Sequence, residues 1–98
     1  MRKAFLLVYS DEMGSRDDVK SMLDGLSIIE DWRSDLPSSF YLISQQSAKV
    51  IAETLRGKVG EKARFIVTEI PSNSYGWLTP ESWKLIQYPA RIRKELQG

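Results

Sequence analysis

The sequence predicts an α+β fold with its elements in the order βαββαβ, and three observations carry that reading. Two segments, near residues 19–26 and 48–59, place apolar residues at helical spacing. Four others are dense in β-branched and aromatic residues and end in turn formers. The strands and helices alternate so that right-handed crossovers yield one four-stranded antiparallel sheet with both helices on one face.

The first strand is Lys3 to Ser10, whose apolar run reads as a strand covered on both faces. Asp11 to Gly14 is a loop. Ser15 opens the first helix, with Asp18 three residues on as in a capping box. Val19, Met22, Leu23 and Leu26 form its stripe. Ser27 to Arg33, with Ile28, Ile29 and Trp32, reads as the second strand. Ser34 to Ser38 is a turn around Pro37, and Ser39 to Ser44 is the third strand, making a hairpin. Ser47 caps the second helix, whose stripe is Ala48, Ile51, Ala52, Leu55 and Val59, and Gly57 and Gly60 mark its end. Ala63 to Ile70 is the fourth strand, broken by Pro71. Tyr75 to Leu78 reads as a short edge strand. Thr79 and Pro80 then start a short helix with Trp83, Leu85 and Ile86, which Pro89 ends. Ala90 to Gln97 reads as one or two further turns or a frayed end. This is the ferredoxin-like arrangement: one domain over residues 1–98, with a core over 3–70 and an appendage over 71–98.

Composition narrows the chemistry. An apolar share of 42% and a charged share of 28% belong to a globular chain, and a formal charge of +1 selects no class of partner. Without cysteine there is no disulfide partner, thiolate metal site or cysteine nucleophile; without histidine there is no serine triad and no usual general base. No serine has a partner base, and there is no glycine-rich phosphate loop. Ala4 to Tyr9 is too short for a signal-peptide core or a membrane span, so the expectation is a cytoplasmic protein with no membrane partner.

The apolar residues of the first and third strands fall on both faces. Phe5, Leu7 and Tyr9 alternate with Ala4, Leu6 and Val8, while Phe40 and Leu42 alternate with Tyr41 and Ile43. An antiparallel sheet with one wet face alternates apolar and polar residues. With both helices on one face, something must cover the other: a second copy, the appendage or a ligand. The expectation is a homodimer, with Phe5, Leu7, Tyr9, Tyr41, Ile43, Tyr75 and Trp77 at its interface.

The run Phe5 to Tyr9, Trp32 before the hairpin turn, Ser39 to Ile43, Ser47-Ala48 and Gly76-Trp77-Leu78 together resemble a family of SinR-like small proteins. They also resemble the CRISPR-associated adaptation proteins and their virulence-associated protein D relatives. The likeness spans residues 3 to 86. It implies a dimeric ferredoxin-like fold in which Tyr75 to Leu78 completes the second copy's sheet. It further implies an aspartate at the end of the first strand, two copies of which hold a divalent metal for phosphodiester cleavage. Here Ser10 follows Tyr9, and the aspartate comes one position later, at Asp11. Side chains alternate along a strand, so that offset can turn the carboxylate away.

Two clusters remain. Asp11, Glu12, Asp17 and Asp18 are carboxylates of the kind that bind Mg²⁺ or Mn²⁺, with Asp11 and Glu12 as candidate metal ligands and Asp11 as the candidate catalytic residue of a nuclease. Their plainer roles are complementing the helix dipole and solvating a loop. Arg56, Lys58, Lys62 and Arg64 are candidate nucleic-acid contacts, and Gly57 to Gly60 fits the G-x-x-G pattern of one RNA-binding loop. Their plainer role is again the helix dipole. An RNA-recognition motif shares the element order, but the third strand lacks its basic residue and glycine. The expectation is a non-catalytic binding or regulatory protein without a cofactor. The alternative is a metal-dependent endonuclease acting on RNA or DNA through Asp11 across a dimer axis.

Overall fold

The computed structural model describes residues 1–90. The chain runs β1 (Lys3–Tyr9), a 3-10 turn (Asp11–Met13), α1 (Arg16–Asp24), β2 (Asp31–Arg33), β3 (Ser39–Ser44), α2 (Ala48–Val59), β4 (Phe65–Glu69) and α3 (Pro80–Gln87). The strands form one antiparallel sheet in the order β2-β3-β1-β4. The fold is therefore α+β, with a four-stranded antiparallel sheet and three helices.

Local chemistry fixes the helix starts. The Ser15 hydroxyl accepts from the Asp18 N–H at 3.1 Å, and the Asp18 carboxylate accepts from the Ser15 N–H at 2.9 Å. This reciprocal pair satisfies donors that the first turn leaves open. Gly14 precedes it at φ 113°, and a Cβ there would stand 2.9 Å from Asp18 Cβ, so both backbone and space require glycine. Ser47 caps α2 by accepting from Val50 N–H, and Gly60 ends it at φ 87°. Thr79 caps α3 by accepting from Ser82 N–H, with Pro80 in the first turn.

The main core lies between the sheet and the first two helices. Phe5, Leu7 and Tyr9 of β1 and Phe40 and Leu42 of β3 meet Val19 and Leu23 of α1 and Ile51 and Leu55 of α2. Phe40 sits at its centre, touching Tyr9 and meeting Trp32 edge to face. A second, smaller core lies on the opposite, outer face. There Leu85 of α3 packs on Ala4 and Ile43, with Ile70 and Ile86 beside them.

Three expectations change. The second strand is Asp31–Arg33 rather than Ser27–Arg33. Leu26 N–H and Ile29 N–H donate back to Leu23 and Leu26 carbonyls, so this stretch turns, and Ile29 enters the core from a turn. Tyr75 to Leu78 is not a strand: it forms no ladder and connects β4 to α3. The expected interface also breaks up. Phe5, Leu7 and Tyr9 are consumed by the chain's own helices, while Tyr41 and Ile43, on the outer face, are buried on that side of the sheet where α3 packs. Of that set only Tyr75 and Trp77 remain exposed. The reading of Ala90 to Gln97 falls, beyond Ala90, outside the described residues.

Candidate functional site

On the outer face, α3 covers one side and leaves the other open. Polar contacts fix its start: the Thr79 hydroxyl donates to the Asp35 carboxylate at 3.2 Å, and the Arg33 guanidinium donates to the Ser82 hydroxyl at 3.2 Å. Near its end, Arg2 donates to the Ala90 carbonyl at 3.1 Å. Asp35 belongs to the β2–β3 turn and Arg33 to β2, so the helix is held toward the β2–β3 side of the sheet. The β1–β4 side keeps Val8 at 41% and Ile66 at 62% exposure. These two residues are directly paired in the ladder.

Two aromatic rings stand on the segment joining β4 to α3. Tyr75 and Trp77 are each 86% exposed and meet edge to face with centroids 5.2 Å apart. Tyr75 also faces Trp83 of α3 at 6.3 Å. An isolated apolar residue at a surface is ordinary, but two exposed rings in contact are less so, and Val8 and Ile66 are uncovered as well. The sequence singled out Tyr75 and Trp77, but not Val8 and Ile66, whose exposure depends on where α3 lies.

A cleft of about 370 Å³ opens where β1 begins and β4 ends. Trp83, Ile86, Ile70 and Pro71 form its apolar wall, and Lys3 and Glu69 stand at it as an ion pair 3.7 Å apart.

Asp11 and Glu12 lie in the exposed 3-10 turn after β1. Ser10 Oγ donates to Glu12 Oε1 at 3.3 Å. Asp17 and Asp18 sit in the first turn of α1, where Asp18 serves the cap. Its bonds to Ser15 hold the Asp18 carboxyl below its ordinary pKa. Among the described residues, no three carboxylates gather into a group able to hold a metal ion. Tyr9, just before this turn, has its hydroxyl against the Pro37 carbonyl at 3.4 Å. Burial pushes its pKa up; Arg16 opposes that shift and Asp11 adds to it.

Arg56, Lys58, Lys62 and Arg64 are all exposed around the connection from α2 to β4. Arg56 and Lys58 occupy the last turn of α2, where cations complement the helix dipole. Gly57, Lys58 and Val59 are helical, so the G-x-x-G pattern forms no loop here. The sequence carries a further small basic group, Arg91, Arg93 and Lys94, which falls outside the described residues.

Sequence reasoning missed a further feature. Ser39 Oγ and Tyr41 OH are buried on the outer face without a hydrogen-bond partner among the described residues. Burial raises the Tyr41 pKa, and the Asp35 carboxylate adds to the effect. The two-residue alternation along β3 was the available signal, since it puts both on the face away from α1 and α2.

The chain matches no protein-family model, and its comparison with curated proteins and with solved structures gives no significant match.

Proposed function

We propose that this chain is a ferredoxin-like domain that works as a homodimeric binding module. The observation supporting it is the apolar strip left open after α3 has packed, Val8 and Ile66 of the β1–β4 ladder, together with the exposed rings of Tyr75 and Trp77 on the segment joining β4 to α3. The βαββαβ order and the strand order β2-β3-β1-β4 support the fold assignment. Binding rather than catalysis is the favoured role because what stays open is apolar and aromatic surface. The acidic residues of the first loop are engaged in a helix cap or spread along an exposed turn. A second copy of the chain is the occupant this reading assigns to the strip.

Sedimentation velocity from about 1 µM to about 1 mM tests it, because weak specific self-association falls in that range. A mass that rises toward that of two chains is the expected result. A mass of one chain throughout would overturn the reading.

A further inference from the structure

We infer that two copies join along β4, strand to strand and antiparallel, so that their sheets continue into one. This rests on the homodimer reading and specifies its contact.

The first argument is the state of the two sheet edges. β2 is only three residues long, and the Asp31 carboxylate takes the Trp32 N–H at 2.8 Å. Short length and an inturned charge are how proteins blunt an edge. β4, the other edge, reads Phe65-Ile66-Val67-Thr68-Glu69, without proline or lysine. It has the composition of a strand that pairs, and no strand of the described residues lies beyond it.

The second argument is the phase of the ladder. Ile70 N–H donates to the Ala4 carbonyl and Ser10 N–H to the Arg64 carbonyl. Hydrogen-bonded pairs alternate along an antiparallel ladder, so Ile66 and Thr68 also face β1. The N–H and C=O groups of Phe65, Val67 and Glu69 therefore point away from the sheet. A neighbouring strand would bond to these three residues.

The third argument is charge. Lys62 and Arg64 stand at the start of β4, and Glu69 closes it. Antiparallel pairing with a second copy sets the acidic end of each strand against the basic end of the other. Parallel pairing would set like against like. The best register places Ile66 opposite Ile66 of the second copy. Phe65 then exchanges backbone bonds with Val67 of the second copy, and Glu69 lies opposite Ala63. A register two residues along would set Ile66 against Thr68 instead, losing the apolar pair. The two exposed Ile66 side chains meet on the two-fold axis, and each Val8 extends the strip beside them.

Two variants test the contact, each followed by sedimentation equilibrium and by circular dichroism to check folding. In Val67→Pro the outward N–H is lost while the ladder to β1 keeps its bonds. Ile66→Lys leaves the core untouched, because Ile66 is 62% exposed, and sets two like charges face to face. Each variant is expected to raise the dissociation constant at least about tenfold while remaining folded. Mixing Ile66→Lys with Ile66→Glu is expected to restore a dimer containing one chain of each, because position 66 faces itself. If the wild type dimerises and neither variant weakens it, while Trp77→Ser does, the copies meet through the aromatic segment. That result overturns the β4 contact and leaves the homodimer standing. A wild type that never dimerises overturns both.

Discussion

Replacing Tyr41 by phenylalanine is expected to stabilise the protein. Tyr41 is 3% exposed on the outer face, and its hydroxyl has no hydrogen-bond partner among the described residues. Burying a hydroxyl without a partner costs about 1–3 kcal/mol by mutational measures. Phenylalanine keeps the ring and its packing and removes only that oxygen. Tyr41→Phe should therefore gain up to about 3 kcal/mol, and about 1 kcal/mol moves the melting temperature of a domain this size by roughly 4–8 °C. The pH dependence supplies a second check. Burial raises the folded-state pKa of Tyr41, so folding favours its protonated form. That contribution is fully present below the unfolded value near 10, and is lost as pH rises through the folded value. The advantage of the variant should accordingly widen in alkali. Urea unfolding at neutral pH and again above pH 10, at one fixed protein concentration, measures both effects. A variant less stable than wild type by more than about 1 kcal/mol would refute the reasoning, because it would show that the hydroxyl is partnered.

Leu23→Ala and Leu55→Ala should each cost roughly 2–5 kcal/mol, since both side chains are almost wholly buried between helices and sheet. Denaturant midpoints that barely move would contradict the packing. Ser15→Ala should cost about 0.5–2 kcal/mol through loss of the hydroxyl that accepts from the Asp18 N–H. The Asp18 carboxyl is held below its ordinary pKa, so its contribution is present above that ordinary value and lost as pH falls through the folded one. An acid titration of stability on Asp18→Asn should show a shallower loss than wild type, and an unchanged slope would count against the cap. Incubation with single-stranded RNA and duplex DNA in Mg²⁺ or Mn²⁺ should yield no cleavage; cleavage by wild type that vanishes in Asp11→Ala would promote the nuclease alternative. Salt-sensitive binding in the same experiment would assign Arg56, Lys58, Lys62 and Arg64 a phosphate-contacting role.

The helices were legible because their information is local. Ser15 and Asp18 are three residues apart, as are Ser47 and Val50, and the apolar stripes need only a few turns of sequence. β1 and β3 were legible for the same reason, as dense apolar runs bounded by turn formers. β2 was not, because Ile28 and Ile29 look like strand residues and only the pairing with β3 decides where the ladder begins. Its first bond on that side, Glu30 N–H to the Ile43 carbonyl, joins residues far apart in sequence. The faces of β1 were misjudged in the same way. The sequence shows that Phe5, Leu7 and Tyr9 share a side, but not which side the helices take. Nor could it show that α3 returns to cover Ile43, since Thr79 meets Asp35 across 44 positions and Ser82 meets Arg33 across 49.

The placement of α3 explains why a sheet apolar on both faces has one protected side and one open side. Its polar anchors, Asp35 and Arg33, lie on the β2–β3 side, so its apolar residues Leu85 and Ile86 fall over Ala4, Ile43 and Ile70. Val8 and Ile66 lie beyond that reach. The strand they leave uncovered is also the edge whose outward backbone groups are unpaired within the sheet, so open apolar surface and open hydrogen-bonding capacity coincide at β4. On the opposite edge neither is present to the same degree: Trp32 packs into the core against Phe40, and the Asp31 carboxylate turns back onto the backbone. Burying Ile66 alone would leave the β4 edge unsatisfied, and pairing the edge without an apolar neighbour would gain little over water. In the proposed dimer a second β4 would meet both needs at once, and the asymmetry between the two edges is the reason for placing the contact on this strand.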